Sequence, residues 1–339
     1  MKKFVLVSVL SLVAATQAHA SKARVQALQK AEFLKDSQTV FENPAHVNSL
    51  GKYLTLEMGG STNTAAPKAE GGLFGEELGA NMGVYVGHLS PIQQSLRAGA
   101  TASENQNNPV EVFYAKDGWG ASVALSNSED KTTDVKEQYL AVRYGVDRDG
   151  MEFSGTVEAI AVTETGTDKT VGAPYITLNF EKEMGATGYF FSKFNWGSGK
   201  YEAAAGDTDV KDLGAEVGVL SRQIKNVYYG VSLAYAKREL GSEITALNLP
   251  IFAGVEAEVT SWAVVRASVS QSFLLSSVQD KNQAAPADGV ITNKNDTTVA
   301  AGVGLKYNNF ALDGVVAGST TGQINGNDVL TQASITYNF

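Results

Sequence analysis

The sequence predicts an all-β fold: a transmembrane antiparallel up-and-down β-barrel of about fourteen strands, within a range of twelve to sixteen, preceded by a short N-terminal helix. Three observations predict it. Apolar and polar residues alternate with a period of two from about residue 51 onward, short and long connections alternate, and the chain ends in a strand-like run closing on Phe339. The 339 residues contain no Cys, which excludes a disulfide scaffold and a thiol nucleophile, and the net charge of −9 argues against nucleic acid as a partner.

The first twenty residues have the three parts of a secretory signal peptide. Lys2 and Lys3 form the charged region, residues 4–15 the apolar region, and Ala18 and Ala20 an A-x-A cleavage site. We therefore expect cleavage after Ala20 and export, and the apolar run is too short to span a bilayer. The chain is predicted to divide into a signal peptide (1–20), a periplasmic or lumen-plugging N-terminal segment (21–50) and an outer-membrane barrel (51–339).

Strand-like alternation recurs along the barrel region. Residues 119–126, for example, place Trp119, Val123 and Leu125 on one face and small or polar residues on the other. About fifteen such segments begin near residues 52, 80, 110, 119, 138, 151, 175, 187, 212, 227, 247, 262, 298, 309 and 329. Segments from residue 80 onward give fourteen strands. Residues 53–60 then belong to the N-terminal region, or form the first of sixteen strands if a weak strand lies between residues 92 and 102.

The connections favour a membrane barrel over a soluble sandwich. Short turns are predicted at residues 117–118, 147–150, 182–185, 223–226 and 308–309, and longer polar loops at 127–136, 164–172, 197–211, 237–243, 272–296 and 320–327. Alternation of this kind puts all short turns at one end of the sheet, which is typical of outer-membrane barrels. A Greek-key sandwich has no reason to keep it.

Aromatic residues flank the predicted short turns, as expected for a girdle at the periplasmic membrane surface. The pairs are Tyr114 and Trp119, Tyr144 and Phe153, Phe180 and Tyr189, Tyr307 and Phe310, and Tyr337 and Phe339. The last pair, in a terminal strand with apolar residues at alternate positions, resembles the C-terminal assembly signal of bacterial outer-membrane barrels. That resemblance implies the barrel-assembly machinery, membrane lipid and lipopolysaccharide as partners.

Residues 21–48 differ in character from the barrel. Residues 23–34 are rich in helix formers and lead into Asn43-Pro44-Ala45. An Asn-Pro-Ala element before the first strand resembles FadL/PorV-type barrels, which implies fourteen strands and an N-terminal segment inside the lumen. Residues 69–75 and 108–110 resemble the major outer-membrane proteins of predatory deltaproteobacteria. The glycine-rich element usual upstream in FadL-type barrels is missing, which argues against fatty-acid transport.

If the apolar alternation marks the lipid side, the opposite positions line the lumen. The candidate pore-lining residues, together with Lys306, carry eight acids and three bases, so we expect a weak preference for cations. In the alternative interpretation these charges only pair across the lumen as structural salt bridges. The candidates are Glu111, Arg143, Glu152, Glu158, Glu181, Glu216, Glu256, Glu258, Arg266 and Asp313.

The function predicted from these patterns is passive diffusion of small hydrophilic solutes through a porin-like channel in the outer membrane of a Gram-negative bacterium. One alternative is a FadL-like plugged channel for hydrophobic solutes, and another is a non-conducting surface adhesin or structural protein. Residues 21–48, 61–78, 89–108 and 272–296 are the candidates for a constriction or plug. The oligomeric state, monomer or trimer, stays open.

No enzymatic activity, cofactor or metal is predicted. Residues 21–339 hold two histidines, His46 and His88, and neither accompanies a nucleophile motif. Gly59-Gly60 and Gly71-Gly72 lack the strand-to-helix context of a phosphate loop. Asp207, Asp209 and Asp212 are more typical of a solvated loop than of a Ca²⁺ site.

Overall fold

A computed structural model describes residues 21–59, 68–90, 109–132, 134–166, 168–202, 206–240, 242–279, 295–319 and 332–339. In these ranges one antiparallel sheet closes on itself, because the first strand pairs with the last. The confirmed fold is therefore an all-β closed barrel. Its strands are β1 (Tyr53–Gly59), β2 (Lys68–Glu77), β3 (Ala80–Val86), β4 (Val110–Lys116), β5 (Trp119–Asp130), β6 (Val135–Arg148), β7 (Met151–Thr165), β8 (Asp168–Val171), β9 (Tyr175–Met184), β10 (Gly188–Glu202), β11 (Thr208–Ser221), β12 (Val227–Leu240), β13 (Ser242–Thr260), β14 (Ala263–Gln279), β15 (Asp296–Tyr307), β16 (Phe310–Ser319) and β17 (Gln332–Asn338).

The barrel has sixteen strands rather than fourteen. β8 and β9 pair in succession with β7 on one side and with β10 on the other, so they are two parts of one barrel strand. The two strands beyond the predicted fourteen are β1 and β2. β2 lies in residues that the sequence pattern assigned to a loop, and the weak strand expected between residues 92 and 102 falls outside the described residues.

Short turns lie at one end of the barrel, as predicted. They occupy residues 78–79, 117–118, 149–150, 185–187, 222–226, 261–262 and 308–309. Asp117 and Gly118 have φ of 49° and 80°, the left-handed pair that a two-residue hairpin turn requires. At the other end the predicted long loops are too long, because strands extend into 127–136, 164–172, 197–211 and the start of 272–296. The difference is greatest between β12 and β13, which are separated by a single residue, because the charged run at 237–243 belongs to the two strands.

The outer face of the barrel is apolar and the inner face is buried. Along β7, Met151, Phe153 and Val157 are exposed, whereas Glu152, Ser154, Thr156 and Glu158 are buried. Exposed apolar residues recur all around the outside of the closed sheet. Such a surface is typical of a barrel in contact with lipid, whereas a soluble protein rarely exposes so much apolar area. The architecture is that of a transmembrane β-barrel.

The predicted aromatic girdle is present with one exception. Trp119 packs against Tyr114 and Tyr144, and all three are more than one third exposed on the outer face. Tyr189 instead faces the lumen, where its hydroxyl donates to Glu181 at 2.5 Å. The apolar surroundings that bury its ring come from the N-terminal segment.

The N-terminal segment, residues 21–50, holds the helices. An α-helix spans Lys22–Leu28, 3-10 turns span Thr39–Phe41 and Pro44–His46, and a further helical turn spans Val47–Leu50. The first helix is shorter than the helix-forming run 23–34, because Gln29 adopts a positive φ. In the described residues, none of the helices has the length and apolarity needed to cross a membrane.

Candidate functional site

The N-terminal segment lies against the inward-facing side chains of strands around the barrel. Its basic residues pair with carboxylates of the wall: Lys22 with Glu70 of β2, Arg24 with Glu256 of β13 at 2.7 Å, and Lys30 with Glu216 of β11 at 2.8 Å. Lys35 pairs with Asp147 and Glu152 at 2.6 and 2.9 Å. The segment therefore crosses the lumen and contacts opposite sides of it.

The first helix is fixed by charge at its start. Ser21 caps it by accepting a hydrogen bond from the Arg24 backbone N–H at 3.2 Å. The Arg24 guanidinium donates to both Glu256 oxygens, at 2.7 and 2.8 Å. Arg266 of β14 bridges Glu256 and Asp313, at 2.7 and 2.5 Å, so a wall arginine and a segment arginine share one carboxylate.

Apolar contacts hold the same helix. Ala23 and Ala27 pack with Val315 of β16 in one buried cluster. A Cβ on Gly302 of β15 would lie 2.7 Å from the Ala27 methyl group, so glycine is needed where the helix approaches the wall. A second cluster joins the segment to the aromatic side of the lumen: Leu28, Ala31, Leu34, Tyr189, Phe191, Leu220, Tyr228 and Phe252.

The Asn-Pro-Ala element is seated directly on the barrel wall. Asn43 Oδ1 accepts the Ala45 N–H at 3.1 Å, which forms a capped turn. Gly120 of β5 and Gly145 of β6 lie beneath that turn. A Cβ on Gly145 would overlap the Asn43 side chain, and a Cβ on Gly120 would come within 2.5 Å of the Pro44 carbonyl group. Two glycines thus form a flat seat for this element.

His46 forms the centre of a hydrogen-bonded chain. Its Nε2 lies 2.5 Å from Glu152 and its Nδ1 lies 2.7 Å from the Thr39 hydroxyl. A hydroxyl, an imidazole and a carboxylate in this order resemble a hydrolase triad. Here the Thr39 hydroxyl also accepts the Asp36 N–H at 2.9 Å, and Lys35 holds Glu152, so the chain joins segment residues to one another and to β7.

The structure places all ten predicted pore-lining residues on inward-facing positions. Eight of them are buried, Glu256 is partly buried, and Glu258 is exposed at the rim, where it pairs with Lys306 at 2.8 Å. Most have protein partners: Glu111 pairs with Arg143 at 2.9 Å, and Glu158 accepts from the Tyr139 hydroxyl at 2.9 Å. The structural salt bridges considered from the sequence account for several of these charges.

Several lumen residues were not identified from the sequence. Glu57 lies on β1, whose role was uncertain from the sequence, and Glu70 lies on β2, which was not recognised as a strand. The sequence therefore could not show that these two side chains point into the lumen. Lys193 of β10 pairs with Glu32 at 2.8 Å, inside a stretch whose aromatic residues obscure the alternation. Arg238, 2% exposed, faces Asp212 at 3.8 Å in a region expected to be loop. Of the three aspartates assigned to a solvated loop, Asp207 is exposed and pairs with Lys200 at 2.6 Å, whereas Asp209 and Asp212 lie on β11.

A cavity of about 210 Å³, lined by both charged and apolar side chains, remains between the segment and the wall formed by β7, β9 and β10. Four carboxylates line it, from Glu32, Glu42, Glu152 and Glu181, against the two ammonium groups of Lys30 and Lys193. Lys35 reaches Glu152 from outside the lining, so the acids outnumber the nearby amines by four to three. Other lining residues are Val25, Gln29, Ala31, Leu34, Thr39, Asn43, His46, Ser154 and Asn179.

The chain turns into the lumen after β3. The His88 ring stacks on Phe41 of the segment with ring centres 3.4 Å apart, and burial lowers the pKa of His88 despite nearby Glu70. The Ser90 hydroxyl donates to Glu158 of β7 at 2.6 Å, on a strand distant from β3. Residues 87–90 thus also occupy part of the lumen. The rest of the predicted 89–108 plug lies outside the described residues, as do the signal peptide with Ala18 and Ala20 and most of 272–296.

No protein-family model matches the chain, and no curated protein sequence does. Solved structures do resemble it. An anion-selective porin from Comamonas acidovorans has 13% identity and a TM-score of 0.43, over 85% of this chain and 98% of that one. OmpT, an outer membrane protein of Vibrio cholerae, has 10% identity and a TM-score of 0.44, over 84% and 95%. A bacterial polysaccharide outer membrane secretin has 9% identity and a TM-score of 0.46, over 85% and 97%.

Proposed function

We propose that this barrel is a narrow diffusion channel for small hydrophilic solutes, with a weak preference for cations, and that the N-terminal segment limits its width. The observation that carries the proposal is the cavity with four carboxylates in its lining, between that segment and β7, β9 and β10. Its volume corresponds to about seven waters at roughly 30 Å³ each. The four carboxylates and two ammonium groups in its lining favour a hydrophilic solute over the hydrophobic solute of the FadL-like alternative.

The cation preference follows from the cavity rather than from the whole lumen wall. Away from the cavity, Glu70, Glu216 and Glu256 are compensated by lysine or arginine of the segment. At the cavity, Glu32 and Glu42 share Lys193, at 2.8 and 3.5 Å, and Glu181 accepts a hydrogen bond from the Tyr189 hydroxyl. Carboxylates that outnumber the nearby amines raise the local concentration of cations.

Planar-bilayer recording of the protein extracted from outer membranes tests the proposal. We expect small stepwise currents and a reversal potential that indicates cation preference under a KCl gradient. Glu42→Gln combined with Glu181→Gln should reduce the cation-to-anion permeability ratio up to about fivefold, since one charge at 4 Å in water is worth about 1 kcal/mol. Glu239→Gln is the matched control, because Glu239 pairs with Lys237 and Lys211 away from the cavity. Anion preference would contradict the proposal.

A second candidate function is a non-conducting surface or structural barrel. The ion pairs that tie the segment to opposite walls favour it, since a segment fixed in this way also blocks the lumen. A membrane that stays silent, with heat-modifiable gel migration as evidence of folding, would support this alternative. In either case we expect no enzymatic activity, because the Thr39 hydroxyl is already engaged with the Asp36 backbone.

A further inference from the structure

The most informative feature outside the cavity is the start of the described chain. Ser21 is fully buried, and its hydroxyl donates to Asp313 Oδ2 at 3.3 Å. The next backbone N–H, of Lys22, donates to Glu57 Oε2 at 2.8 Å. Because consecutive backbone nitrogens lie within about 4 Å of each other, the Ser21 nitrogen lies within about 7 Å of Glu57 Oε2, in the residue whose hydroxyl contacts Asp313.

Glu57 has neutral donors only among its hydrogen bonds in the described chain. Besides the Lys22 N–H, they are the Gln38 side-chain amide at 2.7 Å and the Ser37 hydroxyl at 3.5 Å. The side chain is 1% exposed. A carboxylate in such a place is costly unless a positive charge approaches it.

The charges around Ser21 do not balance. Four carboxylates contact residues 21–24, and they belong to Glu57, Glu70, Glu256 and Asp313. Three side-chain cations pair with these carboxylates, and they belong to Lys22, Arg24 and Arg266. His88 lies 3.5 Å from Glu70, but burial lowers its pKa and favours the neutral ring.

We propose that cleavage after Ala20 creates an α-ammonium group at Ser21 that binds Glu57 and Asp313 inside the lumen. Hydrolysis of the Ala20–Ser21 amide bond by water leaves the carboxylate on Ala20 and the amine on Ser21, which takes up a proton. This ammonium group supplies the fourth positive charge and fixes the first helix at its buried end. Docking of the N-terminal segment is then coupled to processing of the signal peptide, which is itself predicted from the sequence.

Chemical accessibility of the α-amine tests the proposal on the wild-type protein. The barrel is purified from outer membranes, its N-terminus is identified by mass spectrometry, and the amine is labelled by reductive methylation. We expect labelling of Ser21 at least about tenfold slower than in a synthetic peptide of residues 21–28, because one pKa unit of ion-pair stabilisation removes about nine tenths of the reactive neutral amine. Equal rates, or a mature chain that does not begin at Ser21, would overturn the proposal.

Two variants sharpen the test. Insertion of Gly-Gly between Ala20 and Ser21 moves the amine away from its site, so its labelling rate should equal that of the free peptide. Glu57→Gln and the insertion should each lower the temperature at which the folded gel band is lost, and together they should lower it no further than one alone. Additive losses of thermal stability would contradict a shared ion pair. Glu239→Gln serves as the control. If Glu57→Gln does not fold, the labelling rate of the wild-type protein alone tests the proposal.

Discussion

The two ends of the N-terminal segment are held in the barrel by different means. At the first end, residues 21–24 contact the wall through charged groups, with Arg24 and Lys22 paired to carboxylates of β13 and β2. At the second end, Asn43 and Pro44 sit on two glycines of β5 and β6. Val40, Phe41, Val47 and Leu50 pack there with Tyr53, Phe74, Tyr85 and Phe113 of the wall.

Because of this difference, we expect the packed second end to hold the segment in place and the ion pairs of the first end to be the contacts that solution conditions can break. Close packing and apolar contacts do not depend on the protonation of carboxylates, whereas partly buried ion pairs weaken as carboxylates become protonated. At the second end the His46–Glu152 contact is a titratable link. The second end is therefore expected to anchor the segment, and the first end to respond to solution conditions. The cavity lies between the two ends, so motion of either would change its width.

The largest effect is expected from filling the glycine seat. Gly145→Val places a branched side chain where Asn43 now lies, and overpacking of a buried contact costs about 1–3 kcal/mol. The Asn-Pro-Ala turn should leave the wall, with lower thermal stability and higher single-channel conductance. Bilayer recording and heat-modifiable gel migration measure these changes. Gly75→Val is the control, because a Cβ at Gly75 meets open space; an equal change in both variants would show that the effect is not specific to the seat.

A smaller effect is expected from breaking the charged end. Arg24→Met keeps the length of the side chain but removes the two hydrogen bonds to Glu256, and such charge-assisted bonds are worth about 1.5–3 kcal/mol. The loss should be near the lower value, since Arg266 still pairs with Glu256. Limited proteolysis should then cut near residue 24 faster, with cutting near residue 43 unchanged. Equal acceleration at both places would mean that the two ends are not independent.

Acidification should release the middle of the segment without changing the wall. Burial alone would raise the pKa of Glu32, but the ammonium groups of Lys193 and Lys30 outweigh it and lower that pKa. A lowered pKa gives stability that is present above the pKa of the unfolded chain and is lost as the pH falls through the folded value. Channel conductance should therefore rise reversibly below about pH 4. Glu32→Gln should reduce this rise, and an unchanged acid response in that variant would assign the rise to the other carboxylates that pair with the segment.

The barrel was predictable because its signal is local and repeated. Alternation, hairpin turns such as Asp117-Gly118 and the terminal strand can each be read in fewer than fifteen residues. β2 was not predicted as a strand, because Gly71, Gly72 and Gly75 have no side chains and so interrupt the alternation of apolar and polar residues. Gly72 is glycine for a tertiary reason: a Cβ there would overlap the Tyr85 ring, which lies flat against the wall.

The contacts of the segment could not be read from the sequence. Arg24 and Glu256 are separated by 232 positions, and Lys30 and Glu216 by 186. The excess of acids at inward positions could be predicted from the sequence. The structure shows that lysines and an arginine of the segment neutralise several of these acids, so the net charge of the lumen is less negative than that of its wall. Tyr189 is a second example: it shares the inward face of β10 with Phe191, and the apolar residues Leu28, Ala31 and Leu34 of the segment pack in the same buried cluster.

The smallest effect concerns Asp36, which lies between the two ends. Its Oδ1 accepts the N–H groups of Gln38 and Thr39, at 2.9 and 3.1 Å, and burial raises the pKa of its carboxyl group despite the opposing charge of Arg24. A raised carboxyl pKa contributes stability at low pH that is lost as the pH rises through the folded value. Asp36→Asn keeps the accepting oxygen and removes the charge. The variant should therefore gain about 1 kcal/mol or less relative to wild type at neutral pH, and the gain should vanish near about pH 3. Urea unfolding at both pH values measures this difference, and a gain that does not change with pH would show that the charge of Asp36 is not its cause.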